Sequence, residues 1–178
     1  MPGNKLLHSG FSIAKATGLL QKLPLFQGMF NDEFGVLLDY CNICQFSRDK
    51  IIFKENDVAE SMFIVLKGRV EVSCQKKGVL RIMEQGEVLG EIGIIMKIGR
   101  TATAKSYSDE LILLEIKKTD FDFILGKCPR ASYIIMKNMA KFLAERLILA
   151  NQIECCAHII SADKEIGKKI KKTKKTEI

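Results

Sequence analysis

The chain has 178 residues, 47% of them apolar and 28% charged, which is enough to bury the core of one domain and excludes a disordered composition. No apolar run approaches the roughly 20 residues of a membrane span, and the N-terminal MPGNKLLHSGFSIAKATG has no export-signal core, so a cytoplasmic protein without membrane contact is expected. The net charge of +7 is unevenly placed: residues 161–178 hold seven lysines against three acids, leaving +3 for the first 160 residues, so the basicity suggests a tail and not a specific nucleic-acid surface.

The first third reads as helix. In LLQKLPLFQGMFNDEFGVLLDYC the pattern breaks at Pro24, then offers Asn31 as an N-cap, Asp32 and Glu33 in the first turn, and Phe34, Leu37, Leu38 and Tyr40 at helical spacing. From Ile43 to about Ile116 the period changes to short β-branched and aromatic runs. These are punctuated by Asn56-Asp57, Lys67-Gly68, Lys77-Gly78 and Gln85-Gly86, and Leu111–Lys118 closes the series as a last strand. Helix returns at Thr119-Asp120 and stops at Gly126 and Pro129. A long amphipathic helix then runs from about Ala131 to Ile153. One apolar line on it joins Met136, Ala140, Leu143, Leu147 and Ala150, and beside that line lie Ile135, Met139, Phe142 and Leu149.

The fold class expected is therefore α+β, mainly β: an antiparallel sandwich or barrel of short strands, with N-terminal helices and a long C-terminal helix. Residues 1–22 are expected to form a helical extension, 23–160 the domain with its C-terminal helix, and 161–178 a flexible basic tail. The six cysteines are scattered, and the pair in CNIC, Cys41 and Cys44, lacks a second pair for a zinc site, so reduced thiols are expected and no metal.

One stretch does not fit an ordinary sheet core. GEIGIIMKIGRTATA, Gly90 to Ala104, sets Glu91 between glycines, continues with an apolar run, and ends on Arg100 followed by small and hydroxyl residues. With Leu89 before it, the order Gly-Glu, apolar helix, Arg-Thr-Ala-Thr resembles the phosphate-binding cassette of the cyclic nucleotide-binding domain family. The likeness runs from Leu23 to about Ile153, and it implies that the strands form an antiparallel β-roll, double-stranded and jelly-roll-like.

That resemblance implies a sensor that binds cAMP or cGMP, with no catalytic residues and no cofactor beyond the nucleotide. It implies a ligand site of Gly90, Glu91, Ile92, Gly93, Arg100, Thr101 and Ala102, to which Arg146 on the long helix could add a contact to the base. The residue chemistry agrees: a guanidinium suits two phosphate oxygens, a carboxylate accepts from a ribose hydroxyl, and backbone amides opening a short helix favour the same anion. Thr101 stands where the family's cGMP-dependent kinases carry a threonine toward guanine, although other members with a hydroxyl there respond to cAMP. Two departures are Gly99, where eukaryotic members usually have proline, and Asn56, where the family commonly has glycine in a turn.

Competing readings are few. A cupin-type metal enzyme needs clustered histidines, and His8 and His158 lie outside the roll. A regulator like the catabolite activator proteins needs a helix-turn-helix, and the lysine-rich end lacks its pattern. The output expected is a protein contact: a rearrangement of the long helix, a possible homodimer through residues 131–153, and a downstream protein the sequence does not name.

Overall fold

In the computed structural model residues 13–176 are described, with side chains described from 17 to 152. By internal contacts the chain forms two compact units, Met1–Met136 and Lys137–Ile178. The first unit begins with α1 (Ile13–Leu20), a short 3-10 turn at Pro24–Phe26 and α2 (Asn31–Asp39), and continues into eight strands. These are β1 (Cys41–Ser47), β2 (Ile51–Phe53), β3 (Ser61–Lys67), β4 (Val70–Cys74), β5 (Gly78–Met83), β6 (Val88–Leu89), β7 (Thr103–Ser106) and β8 (Glu110–Lys117). A short helix, α3 (Glu91–Met96), interrupts them between β6 and β7, and α4 (Lys118–Lys127) follows β8.

The strands form two antiparallel four-stranded sheets, ordered β1-β8-β3-β6 and β2-β7-β4-β5, as expected for a roll. Between them lies a core of Phe63, Val65, Val70, Met83, Leu89, Ala104, Leu111 and Leu113. Because side chains alternate along a strand, Ile112, Leu114 and Ile116 of β8 point the other way. They are buried too, on a sheet whose β8 packs against α4 and whose β1 packs against α2. Burial on both faces explains why β3 reads as the unbroken apolar run MFIVL and not as an alternation. Each fully buried Leu or Ile contributes about 1.5–3 kcal/mol, so this layered core is the main source of stability.

The turns sit where the sequence places them. Asn56, Gly68, Gly78 and Gly86 all have positive φ, from 70° to 89°, the left-handed region that a tight reversal requires. The cap of α2 differs from expectation. Phe30 is the N-cap, and its amide donates to Glu33 Oε2 at 2.6 Å. Asn31 is the first helical residue and accepts from Gln21 Nε2 at 2.7 Å, so its side chain serves the contact with the chain before the helix and not the cap. Arg130 then ties this helix start to the beginning of the last helix. It pairs with Glu33 at 2.7 Å, donates to Gly28 O at 2.9 Å and lies 3.5 Å over the Phe30 ring.

The last helix, α5, spans Pro129–Thr176. Proline opens it because the first helical residue needs no amide donor. The helix passes the end expected near Ile153 and takes in the lysine-rich 161–176. Lysine, glutamate, alanine and isoleucine all tolerate helix, Gly167 is the one weak position, and no proline follows. In the second unit Leu147, Ile148 and Leu149 are exposed. The side chains of Cys155, Cys156, His158 and the terminal lysines, and His8 entirely, lie outside the described residues.

Cys41 and Cys44 sit three positions apart on β1 and so face opposite ways. Cys41 donates to Leu37 O at 3.1 Å, and burial raises its pKa far above the usual thiol value. At Cys44 burial first, then the nearby Glu115 carboxylate, push the thiol up to about 11. Both are protonated structural thiols at neutral pH.

Gly68 has φ +87, and a Cβ there would stand 2.6 Å from Glu110 O. Gly126, inside α4, has open space around it. Gly68→Ala is expected to lower unfolding free energy by about 1–3 kcal/mol or more, and Gly126→Ala to raise it by about 0.5–1 kcal/mol. Urea denaturation of the two variants checks both signs.

Candidate functional site

Strand β6 delivers the chain to Gly90, whose φ of 81° and ψ of 0° turn it sharply into α3. Gly90 is the N-cap, Glu91 the first helical residue, and Lys97, also left-handed at φ 56°, ends the helix. With six residues α3 carries little dipole, so the amides expected to favour an anion contribute less than the side chains. Glu91 and Arg100 are both almost fully buried, at 3% and 5% exposure. A charged pair of residues in such a place is rare unless compensated.

The compensation of Arg100 is visible atom by atom. Nη1 donates to Gly90 O at 2.9 Å and Nη2 to Ser61 O at 2.6 Å. The guanidinium lies 4.1 Å over the ring of Phe53, itself stacked on Phe63 with centroids 6.0 Å apart. Desolvation lowers the Arg100 pKa, opposed in order by the charges of Asp57, Glu91, Glu115 and Glu60. Guanidinium starts so high that it stays charged. Its Nε is buried and has no hydrogen-bond acceptor among the described residues. A buried, unanswered donor on a buried cation costs free energy, and an anion meeting Nε and a neighbouring Nη edge-on would recover it.

Other expected residues fall around this pair. Gly93 is buried where a Cβ would stand 2.6 Å from the Ala59 Cβ, so glycine lets α3 lie against the chain entering β3. Ile92 is 37% exposed. Thr101 is exposed and Ala102 half-buried just after Arg100. Arg146 is half-buried on α5 and belongs to the second unit; the seven residues of 90–102 belong to the first.

Several participants other than Gly90 are missing from the residues expected from the sequence. Ser61 and Gly90 act on Arg100 through backbone carbonyls, which no side-chain pattern displays. Phe53 lies in the apolar run Ile51–Phe53, which nothing in the sequence sets apart from the other strands. Glu115 shares a face of β8 with Leu111 and Leu113, so its place at odd parity in LILLEIK was the available clue. Arg81 and Glu87 form a further ion pair between β5 and the turn before β6. Among the described residues no group of three or more His, Cys, Asp or Glu side chains is placed to hold a metal, and no helix is long and apolar enough to cross a membrane.

Residues 43–128 match the family model of the cyclic nucleotide-binding domain. The chain is similar to glutaminase 1 of Bradyrhizobium diazoefficiens, with 31% identity over 133 residues, 74% of this chain and 21% of that protein. It is similar to the cyclic AMP receptor protein of Thermus thermophilus, with 27% identity over 128 residues, 70% of this chain and 57% of that one. The chain thus spans about a fifth of the first relative and under two thirds of the second. Among solved structures, a cyclic nucleotide-binding domain from Methylobacillus flagellatus has a TM-score of 0.66 at 19% identity, covering 76% of this chain and 78% of that chain, a likeness of fold.

At Gly90 a Cβ would overlap Arg100 Nη1 and the backbone conformation would be strained as well. Gly90→Ala is therefore expected to cost about 1–3 kcal/mol of stability and to drive the guanidinium off its carbonyl anchors. Urea unfolding measures the first. The Arg100 side-chain resonances, compared between wild type and variant, measure the second.

Proposed function

Residues 43–128 belong to the cyclic nucleotide-binding domain family, and on that premise we propose that this chain is a sensor of a 3′,5′-cyclic nucleotide. The observation that carries the reading is the buried Arg100 with its unanswered Nε. A cyclic phosphodiester bears one negative charge on two free oxygens, and Nε with one Nη offers two parallel donors to them. Glu91, buried at the start of α3, is the acceptor for the ribose hydroxyl. Gly90 and Gly93 admit the ligand close to the backbone, with Ile92, Thr101 and Ala102 along its edge.

For the base, we favour cAMP. The name of the Thermus relative supports it, and exposed Thr101 is the position whose hydroxyl would add affinity for guanine. Arg146 is the proposed base contact from α5, a role that rests on its sequence position. The working domain is taken as residues 23–160. Output is proposed to pass through α5 to a protein surface, with Leu147, Ile148 and Leu149 exposed there and a homodimer through 131–153 as its simplest form.

Charge-assisted hydrogen bonds contribute about 1.5–3 kcal/mol each, so Arg100→Ala is expected to weaken nucleotide binding by roughly ten- to hundredfold. Titration calorimetry with cAMP and cGMP on wild type and variant is the test. Failure of both nucleotides to bind wild type below millimolar concentration would overturn the reading.

A further inference from the structure

Arg100 is held at its side-chain end by Gly90 and Ser61, but its main chain is held from elsewhere. The turn between β2 and β3 extends the pairing of β2 with β7 and makes two reciprocal backbone bonds to this one residue. Asn56 N–H donates to Arg100 O at 2.8 Å, and Arg100 N–H donates to Asp57 O at 2.8 Å. On either side the contact continues. Glu55 N–H donates to Thr103 Oγ1 at 3.0 Å, and at Gly99 a Cβ would lie only 3.2 Å from Asn56 O and 3.4 Å from Asp57 O.

The turn is itself braced. Asp57 Oδ2 accepts from Lys54 N–H at 2.8 Å, Asp57 N–H donates to Lys54 O at 3.1 Å, and Asn56 supplies the left-handed residue at φ 71°. Asparagine reaches that conformation more readily than any other non-glycine side chains except aspartate and histidine.

We propose that the turn Lys54–Asp57 is the positioning element of Arg100, fixing its backbone through Asn56 and Asp57 so that the guanidinium lands on Gly90 O and Ser61 O with Nε directed to the ligand. The proposal rests on the reading of Arg100 as the phosphate-holding residue. No atom of the turn is required to touch the nucleotide. Its effect is to set the origin of a six-bond side chain, and an error there is carried to the donor atoms, where misplacement of about 1 Å is costly. Asp57 adds a second contribution, since its charge is the foremost of the carboxylates that offset the burial of the Arg100 guanidinium.

A double-mutant cycle separates positioning from general support. Asn56→Val places a β-branched residue at positive φ, and Asn56→Ala is a milder version that serves if the first does not fold. Asn56→Gly restores the conformation without the side chain. Calorimetric affinities for cAMP are measured for each, in the wild-type and the Arg100→Ala backgrounds. The expected result is roughly tenfold weaker binding for Asn56→Val, a smaller loss for Asn56→Ala, near-wild-type affinity for Asn56→Gly, and little further loss from any of them once Arg100 is alanine. Equal losses in both backgrounds would overturn the proposal, as would an Asn56→Gly variant as weak as the Ala or Val one. A wild-type chain that binds no cyclic nucleotide would instead sink the functional reading. In that case hydrogen exchange at the Arg100 amide decides the clamp alone: faster exchange in Asn56→Ala than in Asn56→Gly supports it, and equal exchange removes it.

Discussion

The burial of one cation organises this site. Arg100 sits at 5% exposure, and a guanidinium in such a position needs both hydrogen-bond acceptors and opposite charge. The acceptors are backbone carbonyls from two separated segments, Gly90 and Ser61, and the face is covered by Phe53. Three pieces of chain that are distant in sequence are therefore constrained by a single side chain: the end of β6, the start of β3 and the end of β2. The left-handed Gly90, which alone leaves room for Nη1, follows from the same requirement.

Opposite charge comes from several directions. Asp57, Glu91, Glu115 and Glu60 all favour the charged form against desolvation. No single full ion pair has to carry the cation, and the distribution leaves the guanidinium edge at Nε uncommitted. On the proposed reading such a site is prepared: the desolvation of the arginine is met during folding, so an arriving anion would surrender only its own hydration. The carboxylates also oppose an anionic ligand at longer range. Donor geometry, more than net positive field, is what the site has to offer a phosphate.

Much of this was legible in the amino-acid order, for physical reasons that differ from element to element. Turn positions were legible because few residues accept positive φ, and Asn56, Gly68, Gly78 and Gly86 all stand at such angles. The Gly90-Glu91 and Arg100 elements stood out through their resemblance, in order and spacing, to the family's phosphate-binding cassette; each residue alone also fits an ordinary salt bridge with loop glycines. The carbonyls of Ser61 and Gly90 were not legible, since every residue has one and only the fold decides which is spare. Asn31 misled because a good capping residue can be used elsewhere, here by Gln21, while Glu33 reached back to satisfy the amide of Phe30. The reach of α5 to Thr176 was hidden by charge: lysine density reads as a solvated end, yet lysine is a fair helix former and Gly167 alone interrupts the pattern.

The most direct measurement is the Nε–H resonance of Arg100 itself, assigned by its loss in Arg100→Lys and followed by proton–nitrogen correlation spectroscopy during titration with cAMP. The account expects this one signal to move in a saturable way, to a hydrogen-bonded position and with slowed exchange, in step with the calorimetric binding curve. A cyclic nucleotide that binds with saturation while the Arg100 Nε–H stays at its ligand-free position would contradict the central claim, because the phosphate would then be held by something else.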